Sequence, residues 1–299
     1  MVSPSARRQA VTHAVQRGLC SERKACVVLG VSRATVRYRA RPRAGDDALR
    51  TRIRVLAHHH RRFGYRRIAV MLNRDEDTHV NVKRVHRLWK EEGLGLKRRR
   101  PKRRYYGPKG AMVNKAERPG HVWTYDFVED RTARGGKLKL LCVVDEFTRQ
   151  CHAIRVEKRM GAQHVIGTLE RLFELHGRPE HLRSDNGPEF IAHALQHWLA
   201  ANGAQTIYIK PGSPWQNAYI ESFNDKLRNE CLNQEVFANG QEAREVIETW
   251  RCDYNEQRPH SSLGYLTPDQ FTARWRNSSR PTASFRSTNA QTAEVSLSL

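Results

Sequence analysis

The chain has 299 residues, 38% of them hydrophobic, enough for a core of enzyme size and more than one small domain requires. It carries 53 Lys and Arg against 31 Asp and Glu, a formal net charge of +22. No run approaches the length of a membrane span and the opening MVSPSARRQA has no apolar signal core, so neither insertion nor export is expected and a cytosolic protein is.

The charge is unevenly placed. Residues 1–110 hold 30 basic against 8 acidic side chains and residues 111–299 hold 23 against 23, so the whole excess (30 − 8 = 22) lies in the first third. A segment so basic repels itself unless it meets a polyanion, and nucleic acid, bound with release of counterions, is the usual one. A merely soluble basic surface is the bland alternative, disfavoured because the imbalance is confined to one region.

The first unit expected is residues 1–50. In SERKACVVLGVSRATVRYRAR, Ser21 suits the cap of a helix carrying Ala25, Val28 and Leu29, Gly30 ends it, and Ser32 suits the cap of a second helix bearing Arg33, Thr35, Arg37 and Tyr38. This is helix-turn-helix spacing, with Arg33, Thr35 and Arg37 on the helix that would enter a groove. Any short helical hairpin imitates it, so the charge context carries the DNA reading.

Residues 51–96 repeat the theme. Ile68, Met71 and Leu72 line one helix, and Asn81 can cap another with Val85, Leu88 and Trp89 inside and Lys83, Arg84 and Arg87 outside. The run His58 to His60 reads as a solvated helix face rather than a metal site, because no second ligand cluster accompanies it. Residues 97–118 read as a linker: KRRRPKRR, which begins with Lys97, Arg98, Arg99 and Arg100, has too many like charges to pack and would track phosphates. The six cysteines form no CxxC pair, so reduced, mostly buried thiols are expected and zinc is not.

From residue 119 the periodicity changes. HVWTYDFVED alternates with Trp123, Tyr125 and Phe127 on one side and Val122, Thr124, Asp126 and Val128 on the other. KLKLLCVVDEF and CHAIRVEK read as two further strands, AQHVIGTLERLFELHG as a helix closed by Gly177, HLRSD as a short strand, EFIAHALQHWLAANG as a helix and QTIYI as a last strand. The order predicts a mixed sheet with helices on its faces over residues 119–234. A helical extension over 235–276 and a polar, disordered tail over 277–299 are expected to follow.

A carboxylate in a sheet needs a partner, because burying it alone costs several kcal/mol. Asp185 closes HLRSD just before the Asn186-Gly187 turn, and Glu221 follows after 35 intervening residues. In SPWQNAYIESFND, Ser213 and Gln216 suit a capping box; Tyr219, Ile220, Phe223 and Leu227 form a buried stripe, and Asn217, Glu221, Asn224 and Arg228 a ribbon along its flank. Three converging carboxylates repel one another unless cations stand between them, and hard oxygen ligands select magnesium or manganese. Asp145 reads instead as the cap of the DEFTR turn and Glu189 as a first-turn residue favoured by the helix dipole. Tyr254 and His260 could suggest a tyrosine recombinase, but a folded-back C-terminal brace is preferred.

WTYDFVED, RSDNGPEF, SPWQNAYIESFNDKLRNECLN and YNEQRPHSSLGYLTPDQF closely resemble the catalytic protein, OrfB, of the insertion-sequence-three family of transposases, within the retroviral-integrase-like DDE superfamily. The resemblance runs from about residue 5 to 272 and implies an RNase H-like fold, with a five-stranded mixed sheet preceded by small all-α helix-turn-helix units. It implies that Asp126, Asp185 and Glu221 are the catalytic, metal-binding triad, with Asp126 shared by two Mg²⁺ or Mn²⁺ ions, and that Arg228 meets DNA ends. The activity implied is cleavage of the element's terminal inverted repeats and strand transfer into target DNA, with no covalent enzyme intermediate. The implied protein is bacterial and nucleoid-associated, a homo-oligomer on DNA. An upstream-frame OrfA protein is a further implied partner, since no heptad zipper stands in this chain. Rival readings are an inert or repurposed transposase acting as a DNA-binding regulator and a plain RNase H-type nuclease.

Overall fold

The computed structural model describes residues 3–38, 43–74, 79–96, 115–185, 193–208 and 217–278. Two compact units form, Met1–Arg52 and Ile53–Leu299. In the first, α1 (Pro4–Gln16), α2 (Glu22–Val28) and α3 (Arg33–Arg37) are each opened by a serine, Ser3, Ser21 and Ser32, whose side chain accepts a backbone N–H of the first turn. Gly30 takes φ of +59° in the turn between α2 and α3, a conformation that a side chain would oppose.

The small core of this unit corrects the expected apolar positions. Val11, Ala25 and Cys26 are buried, whereas Val28 is 74% exposed. A helix of seven residues makes about two turns, too few for a wheel to fix which flank meets α1. Tyr38 lies beyond the end of α3 in an extended conformation and is exposed.

Helix α4 (Asp46–His59) is followed by α5 (Tyr65–Leu72), which buries Ile68, Ala69 and Leu72, and α6 (Val82–Glu91), which buries Val85, Leu88 and Trp89. Met71 is only half-buried, Ala69 taking its place in the core. Asn81 caps α6 by accepting from the Lys83 N–H at 2.8 Å. His58 and His59 are exposed, and His60 stacks on Phe63. All six cysteines are free, four of them buried. The stretch Lys97 to Arg100, and with it most of the expected linker, lies outside the described residues, as do Glu189, Ser213, Gln216 and the tail beyond Ser278; the first two residues of the expected tail, Asn277 and Ser278, end a helix instead.

The sheet comprises β1 (Val122–Arg131), β2 (Lys137–Asp145), β3 (Cys151–Glu157), β4 (His181–Ser184) and β5 (Gln205–Tyr208), in the order β3-β2-β1-β4-β5. The first three pair antiparallel, and β4 and β5 join in parallel. This is the expected RNase H-like mixed sheet of five strands, with a layer of helices on each face. Trp123, Tyr125, Leu141, Val143 and Leu182 meet α7 (Ala162–His176) and α8 (His193–Ala201). Val128, Leu140, Cys142, Val144 and Ile154 meet α9 (Ala218–Leu227) and α10 (Gly240–Glu256), beyond which lies α11 (Pro268–Ser278). The alternation in β1 therefore sorts side chains between two apolar layers, and Asp126 belongs to the face that α9 covers.

The edge strand β3 is not left open. The Asn255 amide exchanges two hydrogen bonds with the Cys151 backbone, each at 2.9 Å, and Arg244 donates to the Val156 carbonyl. Side chains of α10 thus take up edge groups that would otherwise pair with another chain.

Candidate active site

Asp126 stands in the middle of β1, directly across from fully buried Cys142 of β2. It is half-buried. Its Oδ1 accepts from the Phe127 N–H at 2.8 Å and its Oδ2 from the Asn224 amide at 2.8 Å. Burial raises its pKa to about 6; the charges of Asp185 and Glu221 add to the rise, against the two hydrogen bonds, which favour the ionised form.

Asp185 follows β4 at once. The parallel register pairs Thr124 with Arg183, two residues before Asp126 on one strand and two before Asp185 on the other. Asp185 is exposed. Glu221, also exposed, lies in the first turn of α9 and lines an open cleft of about 460 Å³ with Ala218, Ser222, Asn224 and Asp225. The structure brings Asp126 within the electrostatic reach of both other carboxylates.

The expected ribbon of α9 runs along β1. Asn217 accepts from Thr124 Oγ1 at 3.1 Å, Asn224 donates to Asp126, and Arg228 donates to the Glu129 carbonyl at 3.1 Å. Glu221 falls between Asn217 and Asn224 on that ribbon. In the apolar stripe Ile220, Phe223 and Leu227 are buried, while Tyr219 is half-buried beneath the Arg149 guanidinium.

Asp145 caps its turn as expected: its carboxylate accepts from the N–H groups of Phe147 and Thr148, each at 2.8 Å, and of Gly120 at 2.7 Å. Tyr254 is 3% exposed, packed edge-on against buried His260. A phenol so enclosed, its pKa raised by burial, cannot reach a phosphodiester as a nucleophile.

The expected DNA-contacting residues have varied surroundings. Arg33 and Arg37 both pair with Glu22, at 3.4 and 2.9 Å. Thr35 is drawn into the Ser32 cap. Lys83 is exposed, Arg84 half-buried, and Arg87 pairs with Glu91 at 3.1 Å.

Sequence reasoning gave no role to several groups around this site. Asn224 was placed on the ribbon without its partner, and its spacing of three from Glu221 was the available signal. Glu146 and Arg183 form a fully buried ion pair at 2.8 Å. Burial holds the Lys226 ammonium down at about 8, with Arg258, Arg67 and Arg149 adding to the effect. Among the described residues, the potential ligand atoms of His121, Glu180 and His181 lie within 4.8 Å of one another; Asp126, Asp185 and Glu221 are not drawn that close. The histidine group stands at the other end of β1 and β4, where Glu180 already pairs with Arg118 and the His121 Nδ1 accepts from the Glu117 N–H.

Residues 116–214 and 202–268 match integrase core domain families, and residues 44–103 match an HTH-like domain. The 31.7 kDa protein of insertion element IS407 from Burkholderia multivorans is 43% identical over 271 residues, spanning 89% of this chain and 95% of that one. The 39.2 kDa protein of insertion element IS476 from Xanthomonas euvesicatoria is 40% identical, spanning 92% of this chain and 79% of that one. The transposase of insertion sequence element IS904 from Lactococcus lactis is 30% identical, spanning 75% and 93%. Among solved structures, the integrase catalytic core of HTLV-2 in complex with magnesium gives a TM-score of 0.41 at 19% identity, over 52% of this chain and 97% of that one.

The five-stranded sheet and the match to the integrase core define a polynucleotidyl transferase of the integrase class. More narrowly, the chain belongs to the insertion-sequence-three family of DDE transposases, as a catalytic protein of the OrfB type. With its HTH-like region it acts on DNA, and the chemistry of its class depends on a divalent metal. No helix among the described residues is long and apolar enough to cross a membrane.

Proposed function

We propose that Asp126, Asp185 and Glu221 form the catalytic triad of this transposase and hold two Mg²⁺ or Mn²⁺ ions, for hydrolysis at the ends of the element and joining of the freed 3′ ends to target DNA. The observation that carries the assignment is that Asp126, on the middle strand, is bonded through Asn224 to the helix that bears Glu221, while Asp185 directly follows the neighbouring strand β4; burial and the charges of the other two push the Asp126 carboxyl up. Carboxylates that oppose one another's ionisation are oxygen donors suited to a hard cation, so the residues present fit the metal. When bound, such ions activate the attacking oxygen and neutralise charge developing at phosphorus.

The chain's own groups supply orientation. Asn224 and the Phe127 N–H hold the two oxygens of Asp126, and Asn224 also lines the cleft that Glu221 lines. Arg228, Arg33, Thr35, Arg37, Lys83, Arg84, Arg87 and the run Lys97 to Arg100 are proposed DNA contacts: Arg33, Thr35 and Arg37 on the helix that enters a groove, and the run Lys97 to Arg100 tracking phosphates without reading bases. Terminal inverted repeats, a homo-oligomeric assembly on DNA and an OrfA partner belong to the same proposal. So does the division into units 1–50, 51–96, 97–118, 119–234, 235–276 and 277–299.

The test is a labelled repeat end incubated with Mn²⁺ or Mg²⁺. Wild-type protein is expected to give cleaved and joined products, and Asp185→Asn neither, with DNA binding retained. Cleavage without joining would indicate a nuclease, no product from the wild type an inert DNA-binding regulator, and full turnover by Asp185→Asn would overturn the triad.

A further inference from the structure

The turn between β2 and β3 contains more than a turn requires. The Asp145 carboxylate takes up the Phe147 and Thr148 N–H groups, yet the next residue, Glu146, is buried in an ion pair with Arg183, Nε to Oε1 at 2.8 Å, with side chains 0% and 1% exposed. Removing two charges from water is costly, and packed apolar residues usually stabilise a fold as well or better.

Both ends of this turn lead to the proposed triad. On one side, Arg183 lies in β4, two residues before Asp185, and the β4 ladder ends at Ser184. The buried pair therefore fixes the strand just before the point where Asp185 leaves the sheet. On the other side, the Arg149 guanidinium donates to the Glu146 carbonyl and lies over the Tyr219 ring, 3.9 Å from its centre. Tyr219 is two residues before Glu221, in the first turn of α9. Arg149 itself takes φ of +65°, a conformation that costs a non-glycine residue about 1 kcal/mol or more and persists where surrounding contacts impose it.

We propose that Glu146 and Arg149 are positioning residues that set the spacing of Asp185 and Glu221 around Asp126, Glu146 acting through Arg183 and Arg149 through Tyr219. The inference rests on the reading of those three carboxylates as the metal-holding set. One short turn thereby grips both the strand that delivers one ligand and the helix that delivers another.

The experiment compares full-length Glu146→Gln, Arg149→Ala, Arg149→Lys and Asp126→Asn with the wild type. It measures Mn²⁺ binding directly by paramagnetic resonance, the Mn²⁺ concentration for half-maximal cleavage, affinity for a repeat end and thermal stability. Glu146→Gln and Arg149→Ala are expected to weaken Mn²⁺ binding and raise the half-maximal concentration by about tenfold, as loss of groups that orient metal ligands does, with DNA affinity unchanged. Arg149→Lys, which keeps the charge but loses the planar face, is expected to resemble Arg149→Ala. Arg149→Ala decides the matter if Glu146→Gln does not fold. Unchanged Mn²⁺ binding in folded positioning variants, alongside its loss in Asp126→Asn, would overturn the positioning role alone. Wild-type Mn²⁺ binding in Asp126→Asn would overturn the metal reading and this inference with it.

Discussion

The Asn224 side chain donates to Asp126 Oδ2 at 2.8 Å, tying the helix that carries Glu221 to the middle strand of the sheet. The bond satisfies one carboxylate oxygen without neutralising it, while the Asn224 Oδ1 is buried with no partner among the described residues. Asp126 is thus held in place, while burial, outweighing that bond, keeps it at a disadvantage as an anion, with a carboxyl displaced to about 6. Stability is commonly given up at such positions because function needs the charge there.

That displacement sets a stability prediction. A carboxyl whose folded pKa lies above its unfolded value opposes folding once ionised: the penalty is absent below about pH 4, grows as pH rises, and is complete above about pH 6. Asp126→Asn removes it, and the Asn224 amide can turn its unpartnered Oδ1 toward the new NH₂ group. In the presence of a chelator the variant is expected to be more stable than wild type by about 2 kcal/mol at pH 8, the difference vanishing near pH 4. Denaturant unfolding at the two pH values checks this, and a less stable variant at pH 8 would contradict the described environment of Asp126.

Asn224→Asp is the complementary change. It would place a second carboxylate at hydrogen-bond distance from Asp126, and two such groups share a proton, raising one pKa further. The ionised triad would then form only at higher pH, so the acidic limb of the pH profile of Mn²⁺-dependent cleavage is expected to move upward by about one unit or more. Asn224→Ala, which removes the hydrogen bond without adding charge, should move the limb upward by less. A limb left in place by Asn224→Asp would show that the 126–224 contact does not govern the ionisation that matters.

Much of this was legible in the sequence because the sheet has an apolar layer on each face. Alternation in β1 separated Trp123 and Tyr125 from Thr124 and Asp126, and the buried stripe of α9 located Glu221 on its flank. Asn224 was assigned to the correct ribbon, but its partner was not, since the strand residue that a helix flank meets depends on the crossing of the two elements rather than on either period. Glu146 and Arg183 are separated by 37 positions, and neither helical nor strand periodicity signals a pair so distant. The misplacement of Val28 has the opposite cause, a helix too short for its period to choose a face.

Glu22 offers a test of the first unit. Its carboxylate accepts from both Arg33 and Arg37, the two cations proposed to meet DNA, and those arginines remain 52% and 60% exposed. Exposed pairs contribute little to stability, about 1 kcal/mol or less, so Glu22→Gln should fold normally while freeing two guanidinium groups for phosphates. DNA affinity is then expected to rise severalfold at low salt, with the slope of log affinity against log salt steeper by up to about one ion. Arg37→Ala should do the reverse, lowering affinity uniformly across sequences as a phosphate contact does. Titration of labelled duplexes over a range of salt concentrations measures both effects. An unchanged slope in both variants would mean that the third helix of this unit faces away from the DNA.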